Sequence, residues 1–183
     1  MKALVVYESM FGNTEELIGS VALQTATHGA GPVLVARGTP RSDGPVVVGV
    51  DGSPVSAEAL RFAAEEAALR GAELVAVHAW NGGDGTELNA HLPMSYSTWS
   101  GEDEERRVLA EALAGLAEKY PDLPVRREVV DGSARAHLTR WSTTAQLIVV
   151  GSRGHGGFTG LLLGSVVQHL LHHADCPVAV VRP

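Results

Sequence analysis

The stretch VVGSRGHGGFTGLLLGSV, residues 149–166, decides how this chain is read. Its opening valines close an apolar run that starts at Leu147, short and bounded by glycine, as a buried strand is. Glycines directly after a strand let the backbone come close to a phosphate, which suits Gly151 and Gly154. Gly164 and Ser165 then open a helix whose first N–H groups lack intrahelical acceptors and attract anions, with the Ser165 hydroxyl as a further donor. Glycine-rich loops also serve simple turns. The order Gly151, two residues, Gly154, nine residues, Gly164, Ser165 narrows the choice.

Outward from that stretch, strands alternate with helices. The pattern predicts a strand at 46–50, a helix at 56–69 and a strand at 73–79, then a long polar loop at 81–101. A charged helix at 102–119, a strand at 125–130, a helix at 133–143 and a strand at 147–150 follow, before a last helix and strand. Parallel strands need crossover connections, so the expected fold class is α/β, a doubly wound parallel sheet with helices on both faces. Its ligand belongs beyond the carboxyl ends of the strands. Asp51 ends the first of these strands, although Asp-Gly-Ser is also a turn and helix-start signal. Trp80, Tyr96 and Trp99 flank or occupy the long loop, either leaning over a bound base or packing the loop on its own domain.

Apolar residues make up 45% of the 183 and aromatics only 5%, so the core is expected to be Val, Leu and Ala, as in a covered parallel sheet. The net charge of -7 argues against a general nucleic-acid or anionic-membrane surface. Cys176 is the single cysteine, which rules out an intrachain disulfide and fits a reducing compartment. The first residues show no secretory signal, and no apolar run approaches the ~20 residues that span a bilayer. A soluble cytoplasmic protein is expected. His169, His172 and His173 share a helix face at metal-ligand spacing, but no Glu-x-x-His pattern or cysteine pair accompanies them, so no metal site is assigned. The acidic run at 101–107, GEDEERR, reads as a solvated helix start.

An internal repeat bears on organisation. Residues 19–38, GSVALQTATHGAGPVLVARG, align without gaps on residues 164–183, GSVVQHLLHHADCPVAVVRP, with eight of twenty positions identical. Each copy reads as a helix, a turn ending in proline and a short Val-rich strand. The expected division is a β-α-β appendage at 1–38 made from a partial repeat, a linker at 39–45 and one domain at 46–183. Strand 32–36 is expected to pair antiparallel with 178–181, within the chain or by exchange, with strand 3–7 beside it.

The motif at 151–165, together with VVVGVDGSPVSAEAL (46–60) and ADCPVAVV (174–181), resembles the ATP-binding branch of the universal stress proteins, with their adenine nucleotide alpha hydrolase-like fold. The resemblance implies that Gly151, Gly154, Gly164 and Ser165 hold the phosphates and ribose of ATP, with Val166 close by and Val150 and Ser152 in the same strand-loop segment. Asp51 and its neighbour Gly49 would line the nucleoside side, and Ala79 would meet adenine through its backbone. Arg153, inside the loop, either neutralises phosphate or is plain surface charge, and His155 is a weaker candidate. The family further implies Mg2+ with the ATP, a homodimer joined through final strands, and a stress-response output through conformational or partner-binding change. No Ser-His-Asp order or nucleophile elbow can be assembled, so slow ATP hydrolysis is the most that is expected.

The opening residues MKALVVYESMFGNTE (1–15) resemble instead the start of a flavodoxin. In that resemblance Ser9, Gly12, Asn13 and Thr14 stand where a loop wraps the phosphate of flavin mononucleotide, giving an FMN-binding electron carrier as the alternative function. Nothing after about residue 16 continues it. Tyr7 and Met10 lie near the positions of the early glycines, so a second ATP site there is not expected.

Overall fold

Runs of valine with no polar break, at 46–48 and 178–181, have both faces of a strand to bury, and only the middle of a covered sheet offers that. A computed structural model describes residues 4–7, 31–80, 99–154 and 163–182. Its elements are β1 (Leu4–Tyr7), β2 (Val33–Ala36), β3 (Val46–Gly49), α1 (Pro54–Arg70), β4 (Leu74–Trp80), α2 (Trp99–Ala112), α3 (Leu116–Lys119), β5 (Val125–Asp131), α4 (Ala134–Ser142), β6 (Leu147–Gly151), α5 (Ser165–His173) and β7 (Val178–Val181). The strands form one seven-stranded sheet in the order β1-β2-β7-β6-β3-β4-β5. Neighbours run parallel except β2 and β7.

Alternation along each strand divides the core into two layers. Val47, Val75, Ile148, Val150, Val178 and Val180 face α4 and α5, meeting Leu138, Val167 and Leu170. Val46, Val48, Leu74, Leu147, Val149 and Ala179 face the other way, onto α1 and α2. The face that α1 presents is Ala59, Ala63, Ala64 and Ala67 around Leu60, small side chains that let the helix lie close on the sheet. At the outer edge, β5 carries Arg126, Arg127 and Glu128, charges that discourage a further strand from adding.

The expected 102–119 helix is two helices. Gly115 adopts φ 79, a left-handed conformation that ends the α2 segment and caps the short α3.

The pairing of β2 with β7 forms within the chain, in the antiparallel sense expected, with β1 parallel on its far side. Its register is Val33 with Val180, Leu34 with Ala179 and Val35 with Val178. The repeat alignment equates Val33 with Val178, Leu34 with Ala179 and Val35 with Val180, so the antiparallel register crosses equivalent residues over and has a local pseudo-twofold axis through Leu34 and Ala179. Val33 and Val35 are buried in the same layer as Val178 and Val180. Arg37 follows directly and donates to the carbonyls of Leu170 (3.1 Å), Leu171 and His172 (2.9 Å), closing the carboxyl end of α5. Residues 39–45 are bonded to the sheet's end. Thr39 N–H donates to the Asp175 carbonyl at 3.1 Å, Arg41 to those of Ser142 and Asp175, and the Gln146 side chain to that of Gly44 at 2.8 Å.

Cys176 lies in this junction with no exposed surface, and burial pushes its thiol up to about 12. Since the thiolate is the reactive form, the folded protein is expected to resist a thiol-directed disulfide reagent at pH 8 and to react once denatured. Prompt modification under native conditions would show that the junction opens.

Candidate functional site

The sheet reverses direction between β3 and β6: from β3 the chain proceeds outward to β4 and β5, then returns to β6 and β7 on the other side. Loops leaving the carboxyl ends of β3 and β6 therefore diverge and leave a crevice. A cavity of about 490 Å³ fills it. Of the eleven residues singled out from sequence, ten line it: Gly49 and Asp51 from the end of β3, Ala79 from β4, Val150, Gly151, Arg153 and Gly154 from β6 and its loop, and Gly164, Ser165 and Val166 from the start of α5.

The eleventh, Ser152, does not line it. At 2% exposure it is turned into the structure, its N–H donating to the Val181 carbonyl at 2.7 Å and its carbonyl accepting from Gly164 N–H at 2.9 Å. Ser152 thus ties the two glycine clusters together across the residues between them. His155, Tyr96, the Trp99 side chain and Ser9, Gly12, Asn13 and Thr14 lie outside the residues or side chains described.

Asp51 both holds the turn that starts α1 and lines the cavity. Its Oδ1 accepts from Ser53 N–H at 3.0 Å, and Ser53 in turn caps α1 by accepting from Ser56 N–H at 3.1 Å. The same carboxylate reaches the cavity wall, where Oδ2 occupies the space that a Cβ on Gly154 would need. Gly151 is likewise hemmed in, with Val55 Cγ1 at 3.0 Å from a Cβ built there. Gly164 differs: such a Cβ would meet nothing nearer than 3.6 Å. Its φ of -68 is ordinary for any residue. The protein's own packing accounts for glycine at 151 and 154, whereas a Cβ at 164 would make only ordinary van der Waals contact with the described residues.

Behind this polar rim the floor is apolar. Val77, Leu138, Val150 and Val167 line it, and glycine at 49 leaves room for Leu138, which a Cβ there would press at 3.2 Å. An apolar floor beside a helix start suits a flat heterocycle joined to an anion. Ser56, Val77, Ala134, Leu138 and Val167 were not singled out from sequence. Leu138 and Ala134 come from α4, and only the sheet order brings that helix over β3 and β4.

One buried polar pair supports the site from behind. His78, at 6% exposure on β4, has Nδ1 2.7 Å from the Val50 carbonyl and Nε2 2.6 Å from Glu105 Oε2. The pair links helix α2 to the strand end that carries Asp51. Among the described residues no three His, Cys, Asp or Glu side chains come together as metal ligands, and no helix is long and apolar enough to cross a membrane.

The comparisons with known proteins agree with this geometry. The family model described as "Universal stress protein family" matches residues 44–182. A universal stress protein of Mycolicibacterium smegmatis is 43% identical over 173 residues, 91% of this chain and 56% of the relative. One from Mycobacterium tuberculosis is 44% identical over 171 residues, with the same shares. The chain therefore spans about half the length of the curated relatives it matches. Among solved structures, a universal stress protein from Archaeoglobus fulgidus superposes with a TM-score of 0.66 at 21% identity, over 98% of this chain and 60% of that one, which speaks for the fold alone. A universal stress protein solved in complex with cAMP gives 0.56 at 25% identity, over 76% and 97%. These findings lend no support to the flavin-carrier alternative. With the motif spacing, the sheet order and two relatives above 40% identity in accord, this chain belongs to the universal stress protein family.

Proposed function

We propose that the β3/β6 cavity binds ATP, carried with Mg2+, and that the protein acts in the stress response through the conformational or partner-binding change that occupancy brings. The observation that carries this reading is that the glycines of β6 and its loop and the start of α5, a helix end whose first N–H groups lack intrahelical acceptors, line one cavity. A phosphate chain needs that arrangement. Asp51 lines the nucleoside side, and the apolar floor takes the base. The relative solved with cAMP supports an adenine nucleotide as the ligand class.

A cytoplasmic homodimer completes the proposal. Both edges of β7 are occupied, by β6 and β2, and among the described residues the outer edge of β1 has no strand beside it, which makes it the edge proposed for a second copy. Calorimetric titration with ATP and magnesium, and separately with flavin mononucleotide, tests the ligand. Saturable ATP binding with no flavin binding is expected, and the reverse would overturn the reading.

A further inference from the structure

A second cavity, of about 270 Å³, opens where Ser165 leaves the first. Its other walls are Arg135 from the first turn of α4 and Gln168, His169 and His172 from α5. None of the five lining residues is acidic. The Gln168 side chain is held by donating to the Leu163 carbonyl at 3.1 Å, and the His169 ring lies 4.4 Å from that of His173. This second cavity therefore has one permanent cation, two imidazoles and no carboxylate in its lining, and it shares Ser165 with the proposed nucleotide site.

We propose that this groove is an anion subsite for the terminal phosphoryl groups of a nucleoside polyphosphate, walled by Arg135, His169 and His172; the assignment rests on the nucleotide reading of the adjoining cavity. The length of the phosphate chain then sets affinity: a monophosphate ends before the groove, and a triphosphate enters it. His169 carries the pH dependence of the groove. Burial holds its pKa below the ordinary value, and His173, Arg135 and His172 press it down further, the first and last from its own helix and Arg135 from α4. Without ligand the ring is neutral at pH 7. A polyphosphate beside it would favour the charged form, so binding takes up a proton, and affinity rises as pH falls from 8 toward 6.

The test is calorimetric titration with adenosine, AMP and ATP in excess chelator, at pH 8 and pH 6, alongside inorganic tripolyphosphate followed by the histidine ring resonances. ATP is expected to bind more tightly than AMP, with the gap widening at pH 6. The double substitution Arg135→Ala with His169→Gln should weaken ATP roughly tenfold while leaving adenosine and AMP as they are, which also reports a folded protein. If that variant does not fold, the ATP-to-AMP ratio of the unaltered protein and its pH dependence decide alone. Equal affinity for AMP and ATP at both pH values would overturn the subsite and leave the nucleotide reading standing. Tripolyphosphate that moves the His169 resonance, with no nucleoside binding, would keep the anion site and overturn the nucleotide reading. No response to any ligand would overturn both.

Discussion

Gly164→Ala is expected to weaken ATP binding by about 100-fold, roughly 2.8 kcal/mol, with the fold intact. The added methyl would make only ordinary van der Waals contact with the described residues, the nearest 3.6 Å away, so it brings no clash until a phosphate approaches the amino end of α5. Alanine is a poorer helix cap than glycine, which should cost about 1 kcal/mol or less of stability. Gly154→Val is the companion experiment and should abolish binding by a different route. Its side chain would displace the Asp51 carboxylate, disturbing the turn at Ser53 as well as the loop. The two variants together separate ligand space from protein packing: calorimetry should register both, and thermal melting mainly the second. Unchanged affinity in Gly164→Ala would remove the helix start from the site.

Val35→Asp should lower unfolding stability by about 4 kcal/mol or more, because it places an unpaired charge in a dry position. Val35 is 1% exposed, sits in register with Val178 and packs in the layer that also holds Leu170 and Val180. Leu69→Gln serves as the control, since that leucine is 76% exposed and its replacement should be nearly neutral. Chemical denaturation of both proteins makes the comparison. Equal midpoints would mean that β2 is a loose attachment in solution and that β7 finds other cover.

The parts of the structure legible from sequence were those with a short-range chemical reason. The spacing from Gly151 to Ser165 encodes a strand, a close approach and a helix start, and those residues line one cavity. The valine runs give strands that are buried on both faces, and eight identities in the repeat marked β2 and β7 as like elements. Less legible was whatever depends on a neighbour distant in sequence. Leu138 and Ala134 reach the site only because of the sheet order, and no local pattern announces it. Ser152 sits between two lining residues, yet its hydrogen bonds to Val181 and Gly164 take it out of the lining. The 102–119 periodicity concealed a break because glycine within a helical pattern costs only about 1 kcal/mol, which alanine and leucine neighbours obscure.

The antiparallel contact between β2 and β7 also sets a timetable. Leu34 and Ala179 are 145 positions apart, so as the chain is made from its amino end the first strand of the pair waits for the last. At roughly 5–20 residues per second of synthesis, that wait is on the order of ten seconds. Throughout it Val33 and Val35 have no β7 to cover them, and the C-terminal end of α5 that Arg37 closes does not yet exist. Few local contacts are available to β2 in that interval, and distant pairings form late because the intervening loop must first be closed. Neighbouring nascent chains on a polysome carry the same β2 edge, so pairing between copies competes with pairing within one during that interval.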